Sequence, residues 1–272
     1  MWTRSCAQYP FRKPLYQSVF CIKLATNHNM QRYIRQMTFS GIGETGQQIL
    51  GSSRVAVVGV GALGTVTANC LARAGVGFLR LIDCDHVEKI NLHRQILYTE
   101  EDADKRTPKA VAACSFLARA NSEIQLEPVV AELNADNAET MFADVDLVLD
   151  AVDNWKTRFL VNEVCRKMSL PWIYCAVLGS QGMTMNFLPG DYPCLRCVVP
   201  DQAVSEVQPT IATVGVLNMT TGAIASVQSA EAVKILLGSP EIRQGLFVAD
   251  PWHNRFKTIP FERDAHCLVC QH

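Results

Sequence analysis

The chain has no acidic residue before Glu44, no apolar run approaching the roughly 18 residues of a membrane-spanning helix, and no surplus of either charge. The missing run excludes a helical membrane span. Twenty-five Lys and Arg against 26 Asp and Glu leave a formal net charge of −1, so bulk nucleic-acid binding has no electrostatic support. Internal repeats and low-complexity linkers are also absent, and at 272 residues one continuous domain is expected. Eleven cysteines would suggest disulfides in a short secreted chain. In a chain this long, Cys70, Cys84, Cys114, Cys165 and Cys175 lie in apolar stretches, which predicts reduced core thiols and a cytoplasmic location.

The acid-free start carries Arg4, Arg12, Lys13 and Lys23 among Pro10 and Pro14. Its apolar stretch is interrupted by Gln17, Ser18 and Lys23, which makes a poor signal-peptide core. An organellar presequence is one reading of this composition. The preferred one is a disordered extension over residues 1–29, followed by organised sequence over 30–272.

From residue 54 the chain alternates between two patterns. Residues 54–59, β-branched and uncharged after Arg54, predict a buried strand, and further strands are expected at 78–83, 126–131, 145–150 and 171–177, with another at 182–188. Between them, helices are expected at 62–74, closed by Gly75, and at 108–120, 134–142 and 156–168. Strands alternating with helices at this spacing imply an α/β, Rossmann-like doubly wound and mainly parallel sheet. After Gly179 the pattern changes. Residues 201–213 read as a crossing loop and 214–237 as a long helix rich in small residues, fit to pack in the core or at a dimer interface. Residues 246–250 and 255–260 read as a hairpin, giving the sheet an antiparallel C-terminal portion.

Gly59-Val60-Gly61-Ala62-Leu63-Gly64 follows a predicted strand and opens a predicted helix, a turn that lets the backbone approach phosphate at a helix N-terminus. Asp83 ends the next strand, where a carboxylate can accept hydrogen bonds from ribose hydroxyls. This fingerprint does not choose between a dinucleotide and ATP. Asn91, Arg94, Gln95 and Lys109 follow, and cations there suit a triphosphate better than NAD. Asp150, Asp153 and Asn154 end the fourth strand, an oxygen-rich group able to hold Mg²⁺; capping of the next helix is the alternative. Cys194/Cys197 and Cys267/Cys270 form two Cys-x-x-Cys pairs about seventy residues apart. Four thiolates favour a closed structural zinc clamp over a redox pair.

Taken in order, the series is Arg32-Tyr-Ile-Arg35-Gln36, Gly59-Val-Gly61-Ala-Leu-Gly64, Asp83-Cys-Asp85, Asn91-Leu-His-Arg94-Gln95, Pro108-Lys109, Asp150-Ala-Val-Asp153-Asn154 and Pro193-Cys194-Leu-Arg-Cys197. This series resembles the ubiquitin-activating-enzyme superfamily, in particular its MoeB/ThiF/HesA group, from about residue 31 to 270. The resemblance implies ATP-dependent adenylation of the C-terminal glycine of a ubiquitin-like sulfur-carrier protein ending in Gly-Gly. It implies that Gly59, Gly61 and Gly64 admit the nucleotide, that Asp83 and Asn91 hold it, and that Arg94 and Lys109 neutralise its phosphates. Asp153 would coordinate Mg²⁺, supported by Asn154 and Arg158. Arg35 would reach the neighbouring subunit's phosphates in a homodimer, and the four cysteines would bind Zn²⁺.

One departure stands out. Relatives with a covalent carrier intermediate keep a cysteine in the crossing loop, whereas residues 201–214 contain none, with Ile211 near that place between Thr210 and Thr213. Adenylation without a loop thioester is therefore expected, with a separate sulfur donor attacking the acyl-adenylate. The rival readings are an NAD-dependent oxidoreductase and a non-catalytic carrier-binding module.

Overall fold

The computed structural model describes residues 30–199 and 209–270; the expected extension at 1–29 and most of the expected crossing loop lie outside the described residues. Arg54–Val58 (β1) explains the architecture in miniature. Val55 and Val57 join one hydrophobic cluster and Ala56 and Val58 another, so the strand is buried on both faces. A central parallel strand needs this, and it is why the sequence shows a continuous apolar run instead of alternation.

The other strands are Phe78–Ile82 (β2), Gln125–Val129 (β3), Leu147–Asp150 (β4), Trp172–Leu178 (β5), Gln181–Phe187 (β6), Leu246–Asp250 (β7) and Arg255–Ile259 (β8). They form one sheet in the order β3-β2-β1-β4-β5-β6-β7-β8. The first five run parallel, and β6, β7 and β8 are antiparallel to their neighbours, as expected from the sequence.

The helices are Ile34–Met37 (α1), Gly43–Ser52 (α2), Ala62–Ala74 (α3), Glu100–Asp104 (α4), Lys109–Ala120 (α5), Ala138–Phe142 (α6), Trp155–Lys167 (α7), Leu195–Val198 (α8), Ile211–Val214 (α9) and Asn218–Leu236 (α10). One face of the sheet packs on α2, α3, α5 and α10, through residues such as Leu50, Leu71, Leu117 and Ala232. The other packs on α6 and α7, through Phe142, Val161 and Cys165. Gly75 closes α3 in the left-handed region at φ 83°.

Three differences from the sequence reading have physical causes. The long helix starts at Asn218, because Gly215 at φ +80° ends the single turn of α9 and re-aims the chain. Several of its small residues pack in the core, one of the two expected places: Thr220, Thr221, Ala225 and Ser229 are buried, and the helix packs on α3, β5 and β6. Cys84 is exposed, unlike Cys114, Cys165 and Cys175, because it lies past the end of β2. Helices α1, α2 and α4 were not anticipated, being short or carrying few apolar residues.

Candidate nucleotide site and cysteine clamp

Strands β1 and β4 are neighbours at the centre of the sheet, and the chain leaves their carboxyl ends toward helices on opposite faces. Such a switch point opens a crevice for ligands. Gly59 lies there at φ +86°, and a Cβ on it would stand 2.7 Å from the Ala151 carbonyl oxygen. Gly61 caps α3, and a Cβ there would meet only Gln95 Nε2 at 3.7 Å, so the crevice beside it is open. Gly64 differs: its Cβ would fall 2.0 Å from the Gly59 carbonyl oxygen. It therefore seats the helix closely on the turn.

Asp83 braces this turn. Its Oδ2 accepts from the Val60 amide at 2.7 Å and its Oδ1 from the Asp85 amide at 2.8 Å, while the Tyr98 hydroxyl donates to the Val60 carbonyl at 2.6 Å. Each carboxylate oxygen keeps a further lone pair. Burial pushes the Asp83 pKa up, against the pull of the Lys109 charge.

The two cations predicted from sequence sit in the loop and helix that follow β2. Lys109 Nζ pairs with Asp85 Oδ2 at 2.7 Å, and its side chain is only 9% exposed. One Arg94 guanidinium nitrogen donates to Asn91 Oδ1 at 2.8 Å, so Asn91 orients the arginine. Arg94 Nε is buried without a partner among the described residues, and burial lowers the guanidinium's pKa. Gln95, also buried, leaves its Oε1 unpaired; its amide beside Gly61 was not singled out as a site residue.

The loop after β4 divides its labour in a way the sequence left open. Asp150 is fully buried, accepting from the Val152 amide at 2.9 Å and from Arg158 Nε at 3.1 Å. Its carboxylate is committed to that ion pair, which corrects its expected share in a metal site. Burial pushes its pKa up, and Arg158 opposes this. Arg158 also lies 5.2 Å from the Trp155 ring centre and 5.1 Å from that of Tyr174. Asn154 Oδ1 accepts from the Thr157 amide at 2.9 Å, so Asn154 caps α7, as the capping alternative held. Asp153 and Asn154 are both exposed at the tip, and of the two only Asn154 is engaged in the cap. An apolar pocket of about 190 Å³ is lined by Trp155, Tyr174, Met183, Met185, Val199 and Leu246.

Cys194, Cys197, Cys267 and Cys270 converge, with all four sulfurs within 4.8 Å of one another. Cys194 lies 3.6 Å from Cys267, Cys197 lies 3.6 Å from Cys270, and Cys194 lies 4.0 Å from Cys197. Sulfurs at about 2.3 Å from a tetrahedral zinc would stand about 3.8 Å apart, so the donor set fits that ion. The Asp264 amide points at Cys197 Sγ at 3.4 Å, the kind of outer hydrogen bond that steadies a thiolate ligand.

Arg35 is exposed on α1, away from its own chain's crevice. Neighbouring Tyr33 packs against Gly75 and Gln36 donates to the Ala74 carbonyl, both just before β2 begins, whereas the crevice lies at the strands' other ends. The hydroxyl of Thr213 donates to the Thr210 carbonyl at 3.1 Å, closing the turn around Ile211.

The model of the ThiF family matches residues 33–269, nearly all of the described chain. The chain belongs to the ThiF family. This ThiF-family chain is 38% identical over 242 residues to the SAMP-activating enzyme E1 of Haloferax volcanii, covering 89% of this chain and 88% of that one. It is 35% identical to the sulfur carrier protein adenylyltransferase of Thermus thermophilus, covering 90% of this chain and 92% of that one. It spans only 57% of the adenylyltransferase and sulfurtransferase MOCS3 of Culex quinquefasciatus, at 35% identity. Among solved structures, Escherichia coli MccB crystallised with MccA-N7isoASN superposes with a TM-score of 0.78 at 20% identity, covering 91% of this chain and 76% of that one. That likeness concerns the fold.

Proposed function

We propose that the protein adenylates the C-terminal glycine carboxylate of a small ubiquitin-like sulfur carrier, using ATP. The observation that carries this reading is the partition of charge around the Gly59–Gly64 turn. Arg94 and Lys109 follow β2 on one side of β1, Asp153, without a partner among the described residues, follows β4 on the other, and an open backbone approach at Gly61 lies between them. A carboxylate oxygen of the carrier attacks the α-phosphate, the α–β phosphoanhydride bond breaks, and pyrophosphate leaves with the electron pair. Arg94 and Lys109 offset charge as it builds on the leaving phosphates. Asp83 holds the ribose with the lone pairs its backbone bonds leave free. Asp153 holds Mg²⁺, which when bound lowers the charge on the phosphates. Naming of relatives as sulfur carrier protein adenylyltransferases supports the carrier class.

The same reading extends to the assembly. Arg35 acts across a homodimer on the partner subunit's phosphates; its place far from its own crevice, beside the exposed Ile34 and Phe39, supports this. The four cysteines hold Zn²⁺ as a structural tie between α8 and the C-terminal segment. With no cysteine in the crossing loop, the acyl-adenylate is the end product here, and a separate sulfur donor consumes it. The test is ATP–pyrophosphate exchange with carriers ending in Gly-Gly. Carrier-dependent exchange that falls at least about a hundredfold in Asp153→Ala is the expected result. A wild-type chain that binds ATP but exchanges with no carrier would support a binding module instead.

A further inference from the structure

Gln228 is fully buried in the middle of α10, a helix that packs mainly through small and apolar side chains, with Glu231 its one buried charge. Every hydrogen-bonding atom of its amide is used. Oε1 accepts from the Thr67 hydroxyl of α3 at 2.9 Å, while Nε2 donates to the Asp150 carbonyl at 2.9 Å and to the Ile173 carbonyl at 3.1 Å. The two carbonyls belong to adjacent strands at a particular place. The β4–β5 ladder pairs only Val148 with Trp172 and Leu149 with Ile173, and Asp150 lies beyond its last rung. The side-chain amide thus continues the ladder where the backbone has stopped. On its other edge Asp150 still pairs with Val58 of β1, and the Ala151 amide donates to the Val58 carbonyl at 2.8 Å.

Resting on the nucleotide reading above, we propose that Gln228 is a positioning residue that sets the relative placement of the two halves of the site. Through Thr67 it grips the helix that follows the glycine turn. Through Asp150 it grips the last residue of β4, whose carboxylate in turn holds Arg158 and the Val152 amide, immediately before Asp153. An apolar side chain of equal length would fill the space but leave two buried carbonyls and a hydroxyl with unmet hydrogen bonds. The exit of β4 would then move outward to find water, carrying Asp153 away from the phosphates.

The test compares Gln228→Met with Ile224→Val, a pure packing loss one turn earlier in the same helix. Calorimetry gives the ratio of ATP affinities with and without Mg²⁺, and thermal unfolding gives Tm. Gln228→Met is expected to reduce that ratio about tenfold, the effect of one buried hydrogen bond, whereas Ile224→Val lowers Tm and leaves the ratio unchanged. A folded Gln228→Met chain with the wild-type ratio overturns the proposal. If that variant does not fold, Thr67→Val frees the amide oxygen with little change of shape. A ratio lowered in the same direction sustains the proposal, and an unchanged one overturns it. A wild-type chain whose ATP binding ignores Mg²⁺ would sink the nucleotide–metal reading itself, a result distinguishable from failure of the variant alone.

Discussion

At position 64 a single methyl group separates a packing residue from a ligand-facing one. Gly64→Ala places a Cβ 2.0 Å from the Gly59 carbonyl oxygen, a backbone atom that cannot step aside. Urea unfolding of this variant is expected to show a loss of about 3 kcal/mol. Gly61→Ala, where the nearest atom is the end of the Gln95 side chain at 3.7 Å, is expected to cost under about 0.5 kcal/mol while weakening ATP binding. Both glycines belong to one sequence fingerprint, and nothing local distinguishes them. The same holds for the carboxylates after β4. Sequence placed Asp150, Asp153 and Asn154 together, but only the fold committed Asp150 to Arg158 and Asn154 to the cap, leaving Asp153 exposed.

At the scale of elements, the edge of the parallel sheet opposite the crevice is held by charge. Asp144, in the turn before β4, pairs with Arg54 of β1 at 2.5 Å and with Arg80 of β2 at 2.6 Å; Arg80 also reaches Glu127 of β3 at 2.9 Å. The Arg80 and Arg54 guanidiniums hold the Asp144 carboxyl below its usual value of 3.8. A depressed folded pKa means that this stabilisation is complete above the unfolded pKa and is lost as pH falls through the folded one. Asp144→Asn is therefore expected to lower Tm at neutral pH, with the deficit shrinking between about pH 5 and pH 3. Equal deficits at both ends would show that the pairs contribute nothing through charge. No sequence pattern announces these pairs, since their members are separated by as many as 90 residues. The central strands β1 and β4 were legible, because burial on both faces writes a nearly continuous apolar run.

For the whole molecule, the decisive question is where Arg35 acts. If each site takes its arginine from the partner subunit, Arg35→Ala and Asp153→Ala chains are each inactive alone. Mixing and re-equilibrating them restores one competent site per mixed dimer, about a quarter of all sites. Recovery of exchange to about that level on mixing is the expected outcome; no recovery despite demonstrated subunit exchange would place Arg35 in its own chain's site.

What the sequence by itself determined was whatever depends on neighbours along the chain. The apolar runs, the Gly59–Gly64 turn, the Gly75 cap and the two Cys-x-x-Cys pairs all carry their constraint within a few residues. Only the tertiary structure decided which members of those motifs remain free for chemistry. Gln228 shows why: nothing in its helix marks it out among the other polar residues there, and its three partners lie 161, 78 and 55 residues away. A buried polar atom must be satisfied by whatever the fold brings within about 3 Å, and that set is fixed by how strands and helices stack, not by adjacent sequence.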